Sequence, residues 1–129
     1  MSFLFCCIVF SAMLIYLAKI PVAVAMQAQG GYDNHHPRAQ QASLTGFGAR
    51  ALAAHNNSFE AFGLFAAGAL MAYVGQADIA WTNALAATFV IARILYILCY
   101  LADLHWQRSL VWSLGLICSL LLMVSPAIF

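Results

Sequence analysis

Four apolar runs, each about as long as a bilayer-crossing helix, take up most of this chain and leave little else to fold. About 20 predominantly apolar residues carry a helix across the hydrocarbon of a membrane. The runs at 3–25, 49–74, 79–101 and 109–128 each meet that length. The charge inventory agrees: 65% of the 129 residues are hydrophobic and 7% are charged, against about 25% charged in soluble domains. Five basic and four acidic side chains cannot cover a water-facing surface. The sequence therefore predicts an all-α integral membrane four-helix bundle, one domain over 1–129, with its outer face against membrane lipid. A formal net charge of +1 carries no nucleic-acid footprint.

The connections differ in kind. Residues 26–48 are polar, with "GGYDNHHPR" at their centre, where Gly-Gly and His-Pro mark turns. Residues 75–78 form a tight turn, and "ADLHWQR" at 102–108 is short and polar. "PVAVA" offers a small-x-small cleavage pattern at Ala23 and Ala25, but a basic leader is missing and Lys19 follows the apolar run, so the first run reads as a retained span. Basic residues mark the cytoplasmic side of membrane proteins. Arg38, Arg50 and Arg108, with Lys19 close by, place the first and third connections in the cytoplasm and both termini opposite. Cys6, Cys7, Cys99 and Cys118 sit in apolar runs without a metal or redox spacing and read as small buried hydrophobes. His35 and His36, beside Asp33, read as solvated loop residues, and no metal is expected.

Charge inside the spans is more informative, because a charged group at mid-bilayer costs about 3 kcal/mol. Glu60 enters on the second run and Arg93 returns on the third. Their depths and signs match, which predicts an ion pair, either a staple for the bundle or part of a site. At about 100° per residue, Arg50, Asn57 and Glu60 fall within roughly 80° of one another. Arg93, Tyr96, Tyr100 and Asp103 share a comparable arc, so two polar stripes can line one cavity. His55 faces away from Arg50 and reads as an interfacial or inter-subunit residue. Arg108 and Ser109 open the fourth run, where a helix amino end favours an anion; spacing alone equally fits a plain cytoplasmic anchor. Gly63, Ala67, Gly68 and Gly115 would permit close helix packing.

"RALAAHNNSFEAFGLFAAGAL" resembles the signature of the MAPEG family, membrane-associated proteins in eicosanoid and glutathione metabolism. An arginine is followed by Asn-x-x-Glu, an aromatic residue and a small apolar helix. "ARILYILCY" is similar to the family's third helix and "QRS" to the start of its fourth, while "YDNHHPR" resembles its bacterial branch. The resemblance implies a homotrimer in a bacterial inner membrane, with sites between subunits near the cytoplasmic face. It implies glutathione as cofactor, held by Asn57 and Glu60, with Arg93 paired to Glu60 and Tyr96 lining the site. Arg50 would reach the peptide's carboxylates, assisted by Arg38 from the loop. Arg108, with Ser109, would lie at the sulfur, and Tyr100 would be a second donor.

The activity so implied is a glutathione transferase or peroxidase acting on a lipophilic electrophile. A free thiol titrates near 8.5, and lowering that by two units needs about 2.7 kcal/mol. One guanidinium shielded from water can supply it. The alternative is a non-catalytic membrane scaffold or lipid-binding protein of the same fold. It draws support from Ala53, where many catalytic members carry a second basic residue; Asn56, where some members carry a basic residue, and Trp112, where some carry tyrosine, are further departures that bear on glutathione affinity. A small proton-coupled exporter fits less well, because its key carboxylate would lie in the first run, which has none.

Overall fold

The computed structural model describes residues 2–128 and is all-helical among them; the end residues of the expected domain, Met1 and Phe129, lie outside the described residues. Six helical segments follow one another: α1 (Phe3–Leu17), α2 (Lys19–Ala28), α3 (Pro37–Ala42), α4 (Gly46–Val74), α5 (Ile79–Leu101) and α6 (His105–Ile128). The first two are one run interrupted at Ala18. Pro21 has no N–H for the carbonyl of Leu17 and its ring crowds that carbonyl, so the helix breaks there.

Among the described residues, three runs are long and apolar enough to cross a membrane: Phe3–Ala28, Ile79–Leu101 and His105–Ile128. The sequence reading expects four. The difference is α4, which has the length, at 29 residues, but carries Arg50, His55, Asn56, Asn57, Ser58 and Glu60 in its first half. Its apolar stretch is confined to the half that follows. This polar-then-apolar helix touches every other helix of the bundle.

Lipid removes most of the hydrophobic drive that joins helices in water, so close backbone approach and interhelical hydrogen bonds carry more of the association. Both are present. A Cβ on Gly68 would lie 2.6 Å from the Ser119 carbonyl, so α4 and α6 meet backbone to backbone. A Cβ on Gly75 would lie 2.4 Å from Pro126. Gly63 has open space around it and Gly115 only ordinary contacts, so neither plays the close-packing part expected of it within a single protomer. Between these points the Phe65 and Phe89 rings stack at 4.0 Å, with Leu122 and Cys118 completing the core. Trp81 Nε1 donates to Ser125 Oγ at 3.1 Å, tying α5 to α6.

His55 is 8% exposed and pairs through Nδ1 with the Ile15 carbonyl at 3.0 Å. A carbonyl only accepts, so Nδ1 carries the proton. The residue expected at an interface is instead a staple from α4 to α1, beside the break that leaves α1 carbonyls free. The cysteines also divide: Cys7 and Cys118 are buried, whereas Cys6 is exposed.

The 26–48 connection is more structured than its composition suggests. Gln40 in α3 accepts from the Asp33 N–H at 2.8 Å and donates to the carbonyls of Met26 and Gly31. Asp33 accepts from the backbone N–H groups of His35 and His36, turning the chain into Pro37 at the first turn of α3.

α4 and α5 end alike. Gln76 has φ 55° and Asp103 φ 60°, each just past its helix. The N–H of Ala77 bonds the Ala72 carbonyl and that of Leu104 the Cys99 carbonyl, closing a Schellman motif at both ends. Glycine is the residue this backbone prefers, and an aspartate also opposes the negative end of the α5 dipole. Asp103→Gly is therefore expected to stabilise the protein by about 1 kcal/mol, read as a higher unfolding midpoint in detergent. The polar stripe on α5 consequently ends at Tyr100; Asp103 is not on the helix.

Candidate functional site

Arg93 lies on α5 and is 3% exposed. A buried guanidinium needs acceptors, and α4 provides one: Arg93 Nη2 donates to Asn57 Oδ1 at 2.8 Å. Asn57 Nδ2 in turn donates to Glu60 Oε2 at 2.9 Å. The expected Glu60–Arg93 ion pair does not form directly among the described residues. Asn57 faces α5 while Glu60, three residues on, lies at the exposed edge of α4, so the amide bridges the gap.

The contacts continue along α5. The Arg93 guanidinium sits 4.0 Å from the centroid of the Tyr96 ring. Tyr96 and Tyr100 meet edge to face at 5.6 Å. Arg108 on α6 lies over the Tyr100 ring at 4.3 Å. Positions 93, 96 and 100 are i, i+3 and i+7, one face of a helix. Glu60, Asn57, Arg93, Tyr96, Tyr100 and Arg108 thus form an unbroken line across three helices. Each cation on a ring face contributes about 0.5–2 kcal/mol and fixes the guanidinium plane.

Two cavities flank this line. Asn57, Glu60, Arg93 and Phe89 line one of ≈ 120 Å³. Tyr96, Tyr100, Arg108 and Ser109 line another of ≈ 220 Å³. Trp112 lines both, so they adjoin at that residue. Seven of the nine residues singled out from sequence stand around these cavities. Arg50 and Arg38 do not. Arg50 is seven residues before Asn57, about 10 Å along α4, and its buried Nε has no partner. Arg38 is exposed on α3. Phe89, four residues before Arg93, was missed from sequence because a phenylalanine in an apolar helix carries no polar signal.

The start of α6 requires a correction. The helix begins at His105, so Arg108 is already one turn inside it and donates its backbone N–H to Leu104 at 3.0 Å. The free N–H groups belong to residues before it. Ser109 donates its hydroxyl to the His105 carbonyl at 3.1 Å, leaving only acceptor capacity. What Arg108 offers is its side-chain charge, aimed by the Tyr100 ring, rather than a helix amino terminus.

The arrangement can bind a molecule with several anionic groups and one cationic group. Arg93 and Arg108 present positive charge, Glu60 presents negative charge at an exposed edge, and the amide and phenols add neutral donors. The family model of the MAPEG family matches residues 3–128. No curated protein and no solved structure gives a match.

Proposed function

Because this chain belongs to the MAPEG family, integral membrane proteins associated with glutathione use, we propose that it is a membrane-embedded glutathione-dependent transferase or peroxidase. The observation that carries this reading is the line from Glu60 to Arg108 with its two adjoining cavities. The donor set fits much of the tripeptide: Arg93 suits one of its two carboxylates, Arg108 its thiolate and Glu60 its ammonium. When bound, glutathione supplies the sulfur nucleophile.

The chain's own residues do the rest. Asn57 and Glu60 hold the peptide backbone and amino group. Arg93, fixed by Asn57 and Tyr96, orients a carboxylate. Arg108 holds negative charge at the sulfur, and the Tyr100 phenol donates beside it. Trp112 keeps water from the junction of the cavities. α4 makes the fourth crossing, its polar half in the headgroup region of a bacterial inner membrane. The first and third connections face the cytoplasm. In the homotrimer, Arg50 and Arg38 serve the cavity of an adjacent copy, and a lipophilic electrophile enters from lipid between copies.

A second reading, a non-catalytic scaffold, is favoured by one observation: with Arg50 and Arg38 away from the cavities, each protomer alone presents two arginines there. Conjugation of chlorodinitrobenzene by the purified protein separates the two. The transferase predicts glutathione-dependent turnover well above the uncatalysed rate; turnover at the background rate, with no glutathione binding by calorimetry, supports the scaffold.

A further inference from the structure

A second cleft, of ≈ 680 Å³, opens at the far end of the bundle, where α4 turns into α5 beside the start of α1. It lies 18 residues along α5 from Tyr100, about 27 Å at about 1.5 Å per residue. Its volume falls within the roughly 300–1,000 Å³ of small-molecule sites. Phe3, Tyr73 and Ile79 give it apolar walls, Thr82 and Asn83 give it hydrogen-bonding groups, and no charged side chain among the described residues lines it.

Thr82 is 5% exposed, and its hydroxyl has no hydrogen-bond partner. A helical threonine ordinarily bonds the carbonyl four residues back, as Thr88 does with Ala84 at 2.8 Å. Thr82 makes no such bond. A buried unpaired hydroxyl is costly and seldom left so, and this one stands on the wall of a cleft that can admit a partner. The nearest charge in sequence is Asp78, whose carboxylate is engaged by the Trp81 N–H at 2.8 Å.

We propose that this cleft binds an uncharged single-chain amphiphile of the membrane, its alkyl chain on Phe3, Tyr73 and Ile79 and its hydroxyl or ester head on Thr82 and Asn83. An anionic head would find no cationic side chain among the described residues that line it. A cationic head would find no carboxylate among the described residues that line the cleft. The volume suits one chain with a small head rather than a two-chain phospholipid.

The test uses the full chain in phosphatidylcholine nanodiscs with a diazirine-bearing monoacylglycerol, the labelled peptides mapped by mass spectrometry. Label is expected on the end of α4 and the start of α5, displaced by monoolein and at least tenfold less well by oleate. Thr82→Val, an isostere, should raise the unfolding midpoint of the protein without added lipid while weakening monoolein about fivefold. A merely structural threonine would move the first reading and not the second. Label spread evenly over the lipid-facing helices, or unchanged monoolein affinity in Thr82→Val, overturns the site. Equal competition by oleate overturns the uncharged head.

Discussion

Adding glutathione to the wild-type protein is expected to raise a thiolate absorbance, and Arg108→Ala is expected to abolish it and to slow conjugation by about 100-fold. The size follows from the thiol. Two units of acidity correspond to about 2.7 kcal/mol of preference for the anion, which is about 100-fold in rate if the thiolate is the reacting form. Arg108 lies in the cavity beyond Trp112, and its plane is set by the Tyr100 ring at 4.3 Å. Arg108→Lys keeps the charge but loses the guanidinium's contact over the Tyr100 ring and its forked donors, so it should recover part of the signal. Tyr100→Leu, which keeps the cation and removes its platform, should fall between the two. Equal thiolate absorbance in wild type and Arg108→Ala would remove Arg108 from the role.

Gly68→Ala is expected to destabilise the fold by about 3 kcal/mol, at the upper end of overpacking costs. The added methyl would sit 2.6 Å from the Ser119 carbonyl and 3.1 Å from Leu122 Cβ. Backbone cannot swing aside as a side chain can, so α6 must shift, and α6 carries Arg108 and Trp112. Activity should therefore fall along with the unfolding midpoint. Gly63→Ala is the control. It lies on the same helix with nothing within 4 Å, and should gain up to about 1 kcal/mol from helix propensity. Thermal unfolding in detergent separates the pair; equal midpoints for the two variants would show that α4 and α6 are not held by this approach.

The all-helical class was legible because the length and polarity of the apolar runs leave a chain few alternatives. Candidate residues stood out where polarity interrupts an apolar helix, and the structure brings Asn57, Glu60, Arg93, Tyr96 and Tyr100 together. Periodicity gives a residue's angle about its own helix and says nothing of its neighbour's reach. That is why Arg50 shares a stripe with Asn57 yet stands away from the cavities, and why an amide takes the place expected of an ion pair. Helix ends were the least legible. Asp103 and Gln76 occupy backbone positions that favour glycine, and α6 starts a turn earlier than its apolar run. His55 was misplaced because its partner is a main-chain carbonyl of α1, freed by a break whose cause, Pro21, lies several residues further along.

The bridge at Asn57 also has a direction. A guanidinium only gives hydrogens and an ionised carboxylate only takes them, so the amide must turn its oxygen to Arg93 and its nitrogen to Glu60. Neither isosteric neighbour in the genetic code of shapes can substitute: an aspartate would set one negative group against another, and a leucine would leave both ends stranded. Hydrolysis of that single amide to a carboxylate would alter almost no volume and would keep the Arg93 end, yet it would turn the Glu60 end from attraction to repulsion, so one exchanged atom undoes half of the bridge.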